Sequence, residues 1–206
     1  MGRPRKNPTP EEADAQIAEL AHAAGVAESA PRSVEQAGRA EVDIRPATID
    51  DVPRLTEIYN HYLVHTAITF DLDPVTVAER REWFGQFAET GRHQLLVATG
   101  ADGVVGYAGS HQFRTKKAYD TTVETTIYCA PGALGRGIGG TLYAALFEAL
   151  GREDVRLAVA GITVPNEASI ALHERCGFVH AGRMHAVGRK FGRFWDVEWM
   201  EKELGA

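Results

Sequence analysis

The chain has 206 residues, a formal net charge of −6 and a hydrophobic content of 44%. These values suit one globular domain with an extension, and the negative charge argues against general nucleic-acid binding. No apolar run approaches the roughly 20 residues that a membrane-spanning helix needs, and no secretory leader is evident. Residues 1–40 read differently from the rest. Gly2-Arg3-Pro4-Arg5-Lys6 is a short basic run, followed by Pro8, Pro10 and an alanine-rich segment with a short helical pattern around Ile17, Leu20 and Ala24. The expectation is a largely disordered extension, with a DNA minor-groove arm as the alternative reading of residues 2–6.

The folded domain is expected over 41–206. A first strand reads over 43–48. Thr48 or Asp50 caps a helix to about Tyr59, and Asn60-His61-Tyr62 and Ile68-Thr69-Phe70 fall in the following loop region. Thr76 caps a second helix to about Glu89, with Val77, Trp83, Phe84 and Phe87 as its apolar side. Strands over 94–99 and 104–112 flank Gly100-Ala101-Asp102-Gly103, a hairpin signal.

Residues 121–150, TTVETTIYCAPGALGRGIGGTLYAALFEAL, follow. Val123, Ile127 and Tyr128 mark a strand, which Ala130-Pro131-Gly132 ends. Gly135, Gly137, Gly139 and Gly140 form a glycine-rich turn. Leu142, Tyr143, Leu146, Phe147 and Leu150 then repeat at helical spacing. Strand, glycine turn and helix together aim backbone N–H groups and a positive helix end at one point, which makes an anion cradle. The same pattern also serves as a plain tight turn. No Lys-Ser/Thr follows the glycines, so this is not a P-loop, and no acid sits where a dinucleotide fold would need one. A strand over 156–163, a helix from Asn166 to Arg175 closed by Gly177, and strands over 179–187 and 194–202 complete the chain. Cys129 and Cys176 suit a reducing cytoplasm. Neither they nor His111, His173, His180 and His185 have metal-ligand spacing, so no metal is expected.

The segment Leu134-Gly135-Arg136-Gly137-Ile138-Gly139 resembles the Gln/Arg-x-x-Gly-x-Gly/Ala signature of the GNAT family of N-acetyltransferases, with Leu134 in place of the usual Gln or Arg. Pro165-Asn166-Glu167-Ala168-Ser169 and Cys176-Gly177-Phe178 resemble that family's second landmark. The resemblance implies an α/β fold with a mixed central β-sheet flanked by helices, in the order β-α-α-β-β-β-α-β-α-β-β. It implies acetyl-CoA as co-substrate, with its pyrophosphate on Gly135, Arg136, Gly137, Ile138, Gly139 and Gly140. Its pantetheine arm would lie along Ile127, Tyr128, Cys129 and Asn166. On residue chemistry alone Asn166 is equally a helix N-cap.

Asn60-His61-Tyr62, Thr69-Phe70, Ala118-Tyr119-Asp120, Val123-Glu124, Leu172-His173-Glu174 and Gly188-x-Lys190-x-Gly192 occur in order. Together they resemble the phosphinothricin acetyltransferases and their relatives acting on methionine sulfoximine or arsinothricin. That subgroup implies a homodimer that acetylates the α-amine of a glutamate-like amino-acid analogue, and the cysteine usage adds a cytoplasmic location. Glu124 stands alone as a charge within an uncharged strand. A carboxylate there can take the proton that an ammonium must lose before attacking a thioester. The resemblance assigns Glu124 as base and His173 as its partner or as an acid–base group at the thiol. Phe70, Lys116, Tyr119 and Lys190 fall in the matching substrate-binding segments, with Lys116 where an arginine is usual and Phe194 where a tryptophan is usual. Other amines as acceptors, or a non-enzymatic acetyl-CoA sensor with a DNA-binding arm, are the alternatives.

Overall fold

The computed structural model describes residues 41–205, together with Thr9, Glu11, Glu12 and Ala15. Apart from those four residues, the extension expected over 1–40, with its basic run and the helical pattern around Ile17, lies outside the described residues.

Strand β1 (Asp43–Pro46) leads through a short 3₁₀ turn into helix α1 (Val52–His65). Thr48 and Asp51 close that turn: the Thr48 amide and hydroxyl both donate to Asp51 Oδ2, at 2.7 and 3.0 Å. Helix α1 continues one and a half turns past the expected Tyr59, so Asn60-His61-Tyr62 is helical and not loop. No glycine or proline stops it there, and Tyr62 and Leu63 extend the buried stripe of Val52, Leu55, Ile58 and Tyr59. It ends at Thr66, whose amide and hydroxyl both donate to the Tyr62 carbonyl. Helix α2 (Val77–Phe84) starts as expected on Thr76, in a reciprocal capping pair with Glu79. It stops well short of Glu89, because Gly85 closes the last turn.

The remaining elements are β2 (Leu95–Gly100), β3 (Gly103–Gln112), β4 (Thr122–Cys129), α3 (Ile138–Leu150), β5 (Leu157–Val164), α4 (Glu167–Arg175), β6 (Val179–Lys190) and β7 (Arg193–Glu203). The expected order of elements is the observed one. Among the described residues, seven strands form one sheet in the order β1-β2-β3-β4-β5-β7-β6. Every pairing is antiparallel except β4 with β5.

Side-chain alternation sorts the sheet into two faces. Tyr107, His111, Glu124 and Tyr128 share one. Helices α1 and α2 cover part of it: Tyr59 and Tyr62 lie with ring centroids 5.4 Å from Tyr128, and Trp83 lies 6.5 Å from Tyr107. The other face carries Val123, Thr125 and Ile127 and is covered by α3 and α4. There the fully buried Leu142, Leu146 and Leu150 pack into the core with Val123, Ala158 and Met200.

Candidate active site

Strands β4 and β5 are paired over three residues only, Thr122–Leu157, Val123–Ala158 and Glu124–Val159. The Thr125 hydroxyl, donating to the Val159 carbonyl at 3.2 Å, is the last tie between them. Beyond it, among the described residues, β4 pairs with β3 as far as Cys129 and β5 pairs with β7 as far as Val164. The two strands therefore splay as a fork, and the backbone edges that face each other inside it have no ladder partner. Such edges in a protein interior need a ligand or water. A cavity of about 60 Å³ sits in the fork, lined by Ile68, Thr126, Tyr128, Ile162, Asn166 and His173 among others.

A far larger cavity, about 920 Å³, opens from the fork along the N-terminus of α3. Its floor is the glycine-rich turn. Gly135 and Gly137 have φ of 71° and 78°, in the left-handed region that glycine enters without penalty. A Cβ on Gly137 or Gly140 would meet no atom within 4 Å, so both backbones are open to the cavity. Helix α3 begins at Ile138, earlier than expected, so Gly139 and Gly140 belong to its first turn. Those first amides lack intrahelical partners and carry the positive end of the helix. Gly139 serves packing instead. A Cβ there would stand 3.0 Å from Leu172 Cδ2, so its absence lets α3 approach α4.

Ile127, Tyr128 and Cys129 line the same cavity from β4. Asn166 lines both cavities and caps α4. Its Oδ1 accepts from the Ser169 amide at 3.2 Å as the α4 cap, and its other amide edge remains for a ligand. Arg136 is exposed and does not line the cavity. Positive charge comes instead from Arg175 and Lys202. Arg175 had a readable signal, since Asn166, Ser169, Leu172, Arg175 and Cys176 form one helical stripe. Lys202, on the last strand, had none. Burial pushes the Cys129 thiol up to about 12, so it is a neutral wall group, not a nucleophile. The turn, the exposed amides, the two cations and the apolar walls fit a pyrophosphate with an extended arm.

His173 is 2% exposed. Its Nδ1 lies 2.7 Å from the Ser169 carbonyl and its Nε2 lies 2.9 Å from Tyr143 Oη. A carbonyl only accepts, so Nδ1 carries the proton and Nε2 accepts from the tyrosine hydroxyl. Burial lowers the His173 pKa and raises that of Tyr143, so both are neutral. Both ring nitrogens are thereby engaged with groups other than Glu124, and the expected pairing of the two differs from what the structure contains. Tyr143, which the helical pattern marked only as apolar, is the partner that sequence reasoning missed.

Glu124 is half-buried at the root of the fork, on the opposite face from Tyr143. Burial raises its pKa above the ordinary carboxylate range, and the nearby Arg114 guanidinium opposes the shift. His111 faces it directly across the β3–β4 ladder. Arg114 lies over the Phe113 ring, 4.8 Å from its centroid, and Phe113 meets Tyr119 and Trp199 at 5.9 and 6.2 Å. This shelf of three rings and one cation borders Glu124. Tyr119 belongs to it. Lys116 is exposed, and its carbonyl caps the short 3₁₀ turn that holds Tyr119.

Lys190 departs most from expectation. It is 4% exposed, and its ammonium donates to the backbone carbonyls of Leu63 at 2.7 Å and Thr69 at 2.8 Å. Burial lowers its pKa to about 8, against the pull of Asp71. Phe70 packs with Ala67, Trp195 and Phe191 in a small separate core. Phe194 is 63% exposed, whereas its neighbour Trp195 is buried and donates Nε1–H to the Lys190 carbonyl at 3.0 Å.

Residues 44–199 match the model of the acetyltransferase (GNAT) domain. The chain belongs to the GNAT acetyltransferase family. It is 54% identical over 169 residues to a phosphinothricin N-acetyltransferase of Streptomyces coelicolor, covering 81% of this chain and 99% of the relative. It is 38% identical over 162 residues to an L-methionine sulfoximine/L-methionine sulfone acetyltransferase of Pseudomonas paraeruginosa, covering 78% and 94%. Among solved structures, a phosphinothricin acetyltransferase from Sinorhizobium meliloti in complex with acetyl-CoA superposes with a TM-score of 0.76 at 34% identity, over 80% of this chain and 89% of that one. This GNAT protein is thus an acyltransferase.

Proposed function

We propose that the enzyme moves the acetyl group of acetyl-CoA to the α-amine of a small glutamate-like amino acid or analogue, of the phosphinothricin or methionine sulfoximine type. The setting is a cytoplasmic homodimer with a resistance role. The position of Glu124 carries the reading. It is the last β4 residue paired to β5, half-buried where the fork opens, and on the face away from α3. An amine presented on the aromatic shelf meets this carboxylate at the mouth of the fork. A base whose pKa is raised by burial removes an ammonium proton better at neutral pH than an ordinary carboxylate does.

Acetyl-CoA supplies the acyl group and a thiol leaving group. The chain does the rest. The first-turn amides of α3, with Arg175 and Lys202, hold the phosphates, while Asn166 and the open β4 edge hold the arm. The neutral Tyr143–His173 pair keeps a proton on Tyr143 Oη, from which a departing thiolate can be protonated. Arg114 provides charge for a substrate carboxylate, and Phe113, Tyr119 and Trp199 exclude water. The acceptors of the Streptomyces and Pseudomonas relatives, phosphinothricin and methionine sulfoximine or methionine sulfone, support this acceptor class. Exposed apolar residues Val179, Met184, Val187 and Phe194 along β6 and the start of β7 support the homodimer.

The test is acetyl-CoA turnover against a panel of amines. Phosphinothricin and methionine sulfoximine should give the highest kcat/KM, above ordinary amino acids, a peptide N-terminus and an aminoglycoside. A higher kcat/KM for the peptide or the aminoglycoside would overturn the acceptor class and leave the acetyltransferase intact.

A further inference from the structure

The β6–β7 hairpin turns at Phe191 and Gly192, both with positive φ (52° and 77°). Glycine adopts that conformation freely. Phe191 does not, and a non-glycine residue persists there only where its surroundings hold it. Here they do: the Phe191 ring enters the small core of Ala67, Phe70 and Trp195. The hairpin tip is thereby packed against residues 66–71, the segment that follows α1.

Lys190 ties the same two parts by hydrogen bonds. Leu63 is among the last carbonyls of α1, which no helical amide can reach, and a cation at a helix C-terminus is favoured by the dipole. Thr69 O is the second acceptor. One ammonium thus bridges the end of the helix and the middle of the segment. Gly188 completes the fit: a Cβ there would stand 2.2 Å from the Phe70 ring. On its other side the segment is held by Tyr59, whose hydroxyl lies 2.7 Å from Thr69 Oγ1 and donates to Asp71 Oδ2 at 2.5 Å. Ile68, between these anchors, lines both the fork cavity and the large cavity.

We propose that Lys190 is a positioning residue: the hairpin tip clasps segment 66–71 through its ammonium and keeps Ile68 in the wall of the fork and Phe70 beside it. The side chain acts through backbone carbonyls and touches neither substrate. This inference rests on the acetyltransferase reading of the fork only for its kinetic arm.

Two variants and two measurements test it. Lys190→Met removes the donors and keeps the length, whereas Gly188→Ala leaves the ammonium in place and drives Phe70 off the hairpin. In hydrogen exchange followed by mass spectrometry, segment 66–71 should exchange at least about tenfold faster in both variants, with the sheet amides unchanged. Kinetically, both should raise the amine KM about tenfold with kcat within about threefold. The rise should be equal for an α-amino acid and for its decarboxylated amine. Lys190→Gln, which keeps two donors, should shift exchange and KM in the same direction but less. A loss confined to the carboxylate-bearing amine would overturn the proposal and put Lys190 on the substrate. Unchanged exchange in a folded Lys190→Met protein would overturn it whatever the kinetics. If no amine is acetylated, the functional reading fails and the exchange data still decide the clasp.

Discussion

The glycine-rich turn, proposed above as the cofactor cradle, and the aromatic shelf, proposed as the acceptor site, adjoin at the fork, yet they are built in opposite ways. The cradle comes largely from one continuous stretch, β4 to α3, and its working groups are backbone amides. The shelf gathers Phe113, Arg114 and Tyr119 from the β3–β4 connection, Glu124 from β4 and Trp199 from β7. Its working groups are side chains. Backbone chemistry depends on where the chain may turn, which glycine and helix periodicity announce. Side-chain chemistry depends on which segments the sheet brings together, which no single stretch announces.

The sharpest break between the two regions is chemical. Glu124→Gln keeps the shape of the shelf and removes the proton acceptor. General-base catalysis supplies roughly 10²–10⁴-fold, so kcat should fall by about that factor at neutral pH. The acetyl-CoA KM should stay within about twofold, because Glu124 lies on the face away from the cradle. Raising the pH should restore part of the rate, since more amine then arrives deprotonated. Steady-state kinetics from pH 6.5 to 9.5 checks this, and full activity across that range would leave the enzyme as a positioning device only.

The cradle breaks from the other side. At Gly137 any L-residue is strained at φ 78°, and a bulky one also fills the space open to the cavity. Gly137→Val should raise the acetyl-CoA KM by about tenfold or more while the amine KM holds, on a strain cost of about 1–2 kcal/mol. Gly139→Ala should act more weakly and through stability, because its Cβ meets the movable tip of Leu172 at 3.0 Å. Kinetics and a melting curve on the two variants separate a glycine kept for the ligand from one kept for helix packing.

The same contrast accounts for what could be read beforehand. The order of elements and the turn at 135–140 were legible, because alternation, caps and glycine act locally. The end of α1 was not, because no glycine or proline marks it and Thr66 caps it through its side chain. Lys190 was misplaced for a physical reason. A lysine in an acidic protein reads as a free cation, and only the folded hairpin reveals two backbone carbonyls within 2.8 Å of it. Tyr143 was overlooked because its ring serves the apolar stripe of α3 while its hydroxyl serves His173.

That last pair gives a smaller effect. Tyr143→Phe keeps the ring and leaves His173 Nε2 buried without a donor, a loss of about 1–3 kcal/mol in stability. If Tyr143 also supplies the proton for the departing thiolate, kcat falls as well, and the fall should be larger above neutral pH. A lowered melting temperature with unchanged kcat would confine Tyr143 to structure.

The smallest effect has an unusual sign. Burial raises the folded pKa of Glu124 above its unfolded value. Below about 4.5 both states are protonated and the carboxyl costs nothing extra. Between that pH and the raised folded value, the unfolded chain is ionised while the native one keeps its proton. Stability linked to this group is therefore lost as pH rises through that window, and the full cost of a buried charge remains at neutral pH. Glutamine carries no charge at any pH. Glu124→Gln should thus be more stable than wild type at pH 7.5, and the difference should shrink toward pH 4.5. Arg114 works against the gain, since its attraction to the carboxylate is lost, so the rise in melting temperature should be a few degrees at most. Histidines neutralised by burial, His111 and His173 among them, destabilise both proteins on acidification and cancel in the comparison. Melting curves of the two proteins at matched pH read the difference directly. A variant less stable than wild type at pH 7.5 would mean that the carboxylate is held by the fold for its own structural bonds, and the catalytic loss above would then need another cause.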